Sequence, residues 1–167
     1  MNALADSIRA QIGGASQLYH RLVLVVGGER SGKTTALREL SESGSLPFVN
    51  LNLVLSQRLL ELTSKARSLR LPKLLAEIVA SAGEDVVILD NIEILFDPAL
   101  QQDPLRCLQG VSRNRTIIAS WSGSVRDRTL TYAEPGHREY RRYTDVPAII
   151  VHAAPSAEQR IAEGIQR

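Results

Sequence analysis

Short apolar runs alternate along this chain with longer stretches in which apolar positions return every three or four residues. Leu22–Val26, Asp85–Asp90, Thr116–Trp121 and Val146–Val151 are nearly continuous in apolar residues, the mark of strands buried on both faces. Phe48-Val49-Asn50-Leu51-Asn52-Leu53 instead alternates, and predicts an edge strand whose open face is covered by the two asparagines. Between these runs the pattern predicts helices over residues 2–12, closed by Gly13-Gly14, and from Thr35 to about Ser43, stopped by Gly44. Further helices are predicted at Leu55–Leu62 and from Pro72, placed at a first helical position, to about Gly83. Residues 63–71, with Lys65, Arg67 and Arg70, read as a basic loop.

Asp97-Pro98 and Asp103-Pro104 each supply a cap followed by a helix-starting proline, so the stretch to Gln109 is predicted to be broken in two. Residues 122–145 form a polar, arginine-rich insertion before the last strand. Ser156, with Gln159 three residues on, makes a capping box for a final helix. Five short strands alternating with helices predict an α/β fold, a parallel sheet with helices on both faces. No repeat or linker interrupts the pattern, and residues 1–167 are expected to form a single domain.

The formal net charge of +2 is uninformative, but its distribution is not. Residues 48–105 carry eight acids and five bases, whereas residues 106–142 carry eight arginines and three acids. No apolar run is long enough to span a membrane, and Met1–Asp6 lacks the basic-then-apolar order of a secretion signal, so a cytoplasmic location is expected. Cys107 is the only cysteine, which excludes an intrachain disulfide and a cysteine metal cluster. Few aromatics leave the core to Leu, Ile and Val.

The chemistry enters at Gly27-Gly28-Glu29-Arg30-Ser31-Gly32-Lys33-Thr34, which matches the phosphate-loop pattern G-x-x-x-x-G-K-[ST] between an apolar strand and a helical stretch that opens with Thr35. Such a loop wraps a polyphosphate in backbone N–H groups and aims a helix N-terminus at it. Lys33 is the expected point charge for the β- and γ-phosphates of ATP, and Thr34 the expected hydroxyl ligand of Mg²⁺. Asp90, ending an apolar strand, is the expected second acid of the Mg²⁺ shell. A glutamate often follows such an acid and polarises the attacking water; here that position holds Asn91, an amide that can orient water but cannot take its proton. Glu93 is the nearest substitute if the chain bends after Asp90, and otherwise a solvated loop acid. Ser120 and Ser122 end the fourth strand, where a polar side chain can sense the γ-phosphate; Ser120 is the preferred of the two.

Three readings stand for the insertion, which holds Arg126, Arg128, Arg138, Arg141 and Arg142 with His137, Tyr132, Tyr140 and Tyr143. Arg141 and Arg142 occupy the place in chain order from which oligomeric ATPases send an arginine into a neighbour's site, which implies a homo-oligomer. Alternatively, residues 113–142 contact the phosphates of DNA, with tyrosines as stacking platforms. The third reading is a solvated basic loop.

Val49–Leu53, Leu89–Pro98, Leu130–His137, Asp103–Arg106 and Ser112–Thr116 resemble the BrxF family, small P-loop proteins of type 3 BREX bacteriophage-exclusion systems. The resemblance covers nearly all of residues 22–152. It implies a nucleotide-dependent subunit acting against phage beside a larger ATPase, a DNA methyltransferase and a phosphatase-like protein. The chain is also similar to the core of AAA-type ATPases, with strand order 5-1-4-3-2 and, given the few residues after Val151, without the helical lid that usually follows. Three functions remain open: an ATP-binding and hydrolysing switch, weak in hydrolysis by itself; a small-molecule or nucleotide kinase; and a structural subunit that binds nucleotide without turnover.

Overall fold

A computed structural model describes residues 2–153. Strands β1 (Leu22–Gly27), β2 (Phe48–Asn50), β3 (Val86–Asp90), β4 (Thr116–Arg126) and β7 (Ile149–His152) form a parallel sheet in the order β2-β3-β4-β1-β7. Strand β5 (Thr129–Tyr132) pairs antiparallel with the far end of β4, and β6 (Arg141–Thr144) pairs antiparallel with β5. Helices α1 (Ala3–Ala15), α2 (Lys33–Gly44), α3 (Leu51–Leu59), α4 (Ser64–Ser81) and α5 (Pro104–Val111) flank the sheet. The fold is therefore α/β with a mostly parallel sheet between helices.

The two-residue period of β1 sorts the layers. Val23 and Val25 join Ile8 of α1 and Leu37 and Leu40 of α2. Leu22, Leu24 and Val26 face the larger core, which holds Leu55, Leu75 and Leu108 from α3, α4 and α5 together with Phe96 and Trp121. With helices on both faces, the strand ends Gly27 and Asp90 come out at the same edge of the sheet.

The helix expected to close at Gly13-Gly14 runs through them to Ala15, the one expected at Leu55–Leu62 lies at Leu51–Leu59, and the strand expected over Val146–Val151 begins only at Ile149. Two other elements change character. The strand expected over Phe48–Leu53 stops at Asn50, whose side chain accepts a hydrogen bond from Leu53 N (3.2 Å) and so starts α3. Asn50 is thus a helix cap and Asn52 a helical residue; neither covers an open strand face. The expected basic loop 63–71 is the first half of α4, begun by Thr63, which accepts from Ala66 N (3.2 Å). Pro72 then lies inside the helix. A proline there leaves the carbonyl four residues back without its N–H donor. That carbonyl belongs to Ser68, and Gln102 Nε2 donates to it at 2.6 Å. Arg67 caps the preceding helix by donating to Leu59 O and Leu62 O, so a base that reads as solvated from sequence is structural.

The insertion is also ordered. β4 continues past the parallel sheet, and Asp127 and Arg128, both left-handed (φ 49° and 65°), turn it into β5. Two positive-φ residues are the geometry of a type I′ hairpin turn, usually Asn-Gly, so this turn has no strong sequence signal. The helix expected from Ser156 lies outside the described residues. Among the described residues no helix is long and apolar enough to cross a membrane.

Candidate functional site

β1 ends at Gly27 and α2 begins at Lys33, with Gly32 as a left-handed cap (φ 86°) that offers no side chain. The first helical bond runs from Ala36 N to Gly32 O, which leaves the N–H groups of Lys33, Thr34 and Thr35 without intrahelical acceptors. These residues border a cavity of about 540 Å³ together with Glu29, Arg30, Asp90, Asn91, Glu93, Ser120, Ser122 and Tyr132. Ser31 Oγ donates to Gly28 O at 2.7 Å and closes the loop on itself. A Cβ at Gly27 would lie 2.5 Å from Ser31 Oγ and 2.7 Å from Ala153 Cβ, so a larger residue would force Ser31 and Ala153 to move.

Lys33 is only 8% exposed. Its Nζ donates to Gly27 O (2.9 Å), Gly28 O (2.7 Å) and Ser31 Oγ (3.3 Å), all neutral oxygens. Burial pulls its pKa below the ordinary 10.5, against the opposing pull of Glu93, Asp90 and Glu29. An anion placed here meets a desolvated cation whose present partners are dipoles.

Thr34 Oγ1 donates to Asp90 Oδ2 at 2.8 Å, bringing together two side chains far apart in sequence. Asp90 is 2% exposed. A hydroxyl beside a carboxylate is a hard oxygen pair of the kind that suits Mg²⁺. Among the described residues no group of three His, Cys, Asp or Glu could hold a metal.

Asn91 is left-handed (φ 52°), and its carbonyl accepts the amide of Asn52 at 3.0 Å. This turns the chain into a 3-10 segment, Ile92–Phe96, and brings Glu93 to the cavity wall. There Glu93 Oε1 accepts a hydrogen bond from Ser122 Oγ at 3.2 Å. Ser120, 3% exposed, lies on the same wall.

The arginines of the insertion are elsewhere. Arg141 donates to Gln102 O (3.1 Å), and its Nε is buried without a partner. Arg142 is exposed on β6, and neither residue lines the cavity. A second hollow of about 1130 Å³ separates Gly28 and Glu29 from the hairpin residues Arg126, His137 and Tyr140. Sequence reasoning gave Tyr132 no place in the site. It reaches the cavity wall because its ring stacks on Phe96, with centroids 3.5 Å apart and planes 14° apart. Burial pushes its phenol well above the usual range, with Glu93, Glu139 and Glu29 adding to the shift. The tyrosines of the insertion read from sequence only as stacking platforms for nucleic acid, and their spacing does not announce a place for Tyr132 at this cavity.

No family model matches the chain. No curated protein matches it either. Among solved structures, C. elegans PCH-2 matches with a TM-score of 0.42 and 20% identity, over 96% of this chain and 42% of that one.

Proposed function

We propose that the chain binds ATP with Mg²⁺ through Gly27–Thr35 and Asp90 and hydrolyses it slowly, as an AAA-like P-loop subunit of a BREX-type phage-exclusion system. The observation that carries the nucleotide reading is the Thr34–Asp90 hydrogen bond beside the buried Lys33. It sets a hydroxyl, a carboxylate and an ammonium group around one cavity, at the start of a helix whose first amides have no intrahelical acceptors. The sheet order supports it: counted over the parallel strands from β7, it runs 5-1-4-3-2. The resemblance to BrxF supports the biological setting, with the larger ATPase, methyltransferase and phosphatase-like protein as partners in the cytoplasm.

Within this reading the loop amides and Lys33 bind and orient the β- and γ-phosphates. Thr34 and Asp90 would hold Mg²⁺, which would supply charge neutralisation for the polyphosphate. Glu93 takes the proton of the attacking water as its oxygen bonds to the γ-phosphorus and the bond to ADP breaks, giving ADP and phosphate. Asn91 orients, and Ser120 senses the terminal phosphate. Of the two arginines proposed to act on a neighbouring copy, Arg142 is the exposed one.

Calorimetric titration with ATP and Mg²⁺ tests the core of the reading. Lys33→Ala should lose about 1.5–3 kcal/mol of binding, the scale of a charge-assisted hydrogen bond. Unchanged affinity would sink the assignment. Phosphate release measured with the chain alone and with the other BREX proteins separates turnover from binding without hydrolysis. Failure to form a complex with any of them removes the phage-exclusion role but leaves the nucleotide site standing.

A further inference from the structure

Glu93 is an unbranched side chain with several rotatable bonds, and its backbone is held from both sides. Before it, Asn91 is left-handed and bonded to the amide of Asn52. After it, Phe96 is 1% exposed, stacked on Tyr132 and set edge-on to Trp121 at 5.1 Å and 79°. What remains undetermined is where the carboxylate points, and the contact that fixes it is the 3.2 Å hydrogen bond from Ser122 Oγ to Glu93 Oε1.

Ser122 is well placed for that task. Its Cα is in register with Gly27, the first glycine of the phosphate loop, at the last parallel pair of β1 and β4. The next residue, Gly123, already pairs antiparallel with Tyr132 of the hairpin. The hydroxyl therefore comes from the joint between the rigid sheet and the hairpin, and it lines the same cavity as Lys33, Thr34 and Asp90.

We propose that Ser122 is the positioning residue for Glu93: its hydroxyl holds one carboxylate oxygen at the cavity wall and so aims the group at the attacking water. The proposal rests on Glu93 being the general base. It gives the hairpin a part in turnover, because Ser122 and the Phe96–Tyr132 stack tie Glu93 to the strand and the sheet extension from which the hairpin is built.

The test compares Ser122→Ala, Ser122→Thr and Glu93→Gln in steady-state phosphate release. It also compares their calorimetric affinities for Mg-ADP and for Mg-ADP with aluminium fluoride, which mimics the phosphoryl group in transit. Ser122→Ala should lower kcat about tenfold, the equivalent of one hydrogen bond to a charged group, with KM and ADP affinity within about twofold. Its affinity for the fluoride complex should fall by a similar factor, and Ser122→Thr should recover both. A raised KM with kcat intact would make Ser122 a phosphate contact and overturn the proposal, as would an alanine variant equal to the parent in both measurements. If Glu93→Gln is impaired while Ser122→Ala is not, the positioning role alone fails. If Glu93→Gln is unimpaired, or the parent protein forms no fluoride complex, the general-base reading fails and the positioning role falls with it. Where turnover by the chain alone is too slow to follow, the fluoride-complex affinities of parent and Ser122→Ala decide by themselves.

Discussion

The glycine loop and the hairpin border the same cavity by different means. Lys33 finds its partners at Gly27, Gly28 and Ser31, within its own loop, and Gly32 supplies the left-handed turn that starts α2. Tyr132 is held at the cavity by its stack on Phe96, from a segment distant in sequence, and by its pairing opposite Gly123, and Trp121 adds its Nε1 donation to Thr131 O at 3.0 Å. The loop is a local stereochemical solution that needs the strand and helix on either side of it. The hairpin wall is a product of aromatic packing and strand pairing across the fold. Damage should therefore spread differently: changes in the loop should alter binding with the fold intact, while changes under the hairpin should alter stability first.

The largest effect is expected at Phe96. Removing this fully buried ring should cost about 3–5 kcal/mol in urea unfolding, since the stack on Tyr132 and the edge contact with Trp121 go with it. A loss below about 1 kcal/mol would show that the hairpin stands without the aromatic cluster. Gly123→Ala comes next. A Cβ there would run into the carbonyl of Thr131, backbone that cannot rotate away, and would sit 3.0 Å from Trp121 Nε1. The pairing of β4 with β5 must open or shift, at a cost of about 1–3 kcal/mol. A melting temperature equal to the parent's would mean that the hairpin yields without resistance.

The smallest effect sharpens the loop side of the comparison. Because burial holds the folded Lys33 pKa below 10.5, there is a window between that lowered value and 10.5 in which the unfolded chain keeps a proton that the folded chain has lost. Across that window the nucleotide-free protein should gain stability as pH rises, and below it the buried charge is a standing cost. ATP affinity should run the other way, falling through the same window as the ammonium group disappears. Calorimetry and thermal melts from neutral to alkaline pH follow both trends, and Lys33→Ala should abolish this contribution to each. An affinity that declines only around the ordinary lysine range would show that Lys33 is better solvated than its contacts imply.

Much of the fold was legible in residue order. The apolar runs Leu22–Val26, Asp85–Asp90 and Thr116–Trp121 are strands within a residue or so at their start, because burial on both faces leaves no other use for such runs. Capping signals at Asp97 and Asp103 were equally local: Asp97 accepts from Ala99 N, and Asp103 from the amides of Leu105 and Arg106. Some departures were local, as at Asn50 and Thr63, whose side chains cap helices three residues on; others fell where a distant group changed the outcome. Pro72 reads as a helix start until Gln102, from another segment, supplies the donor that Ser68 O lacks. Arg67 reads as part of a basic loop, and Arg141 as an arginine for a neighbour's site, until their guanidinium groups are found on the carbonyls of Leu59 and Gln102.

Residue order by itself determined the α/β layering and the glycine loop, because buried strands, helix starts and left-handed turns depend on spacing over a few residues. Tertiary structure alone decided that α4 runs through a proline, that a polar insertion is an ordered hairpin, and that Glu93 meets Ser122 at the cavity wall. Each of those rests on one group meeting another from a remote part of the chain, and a hydrogen bond or ring stack between distant segments leaves no periodic trace in the sequence.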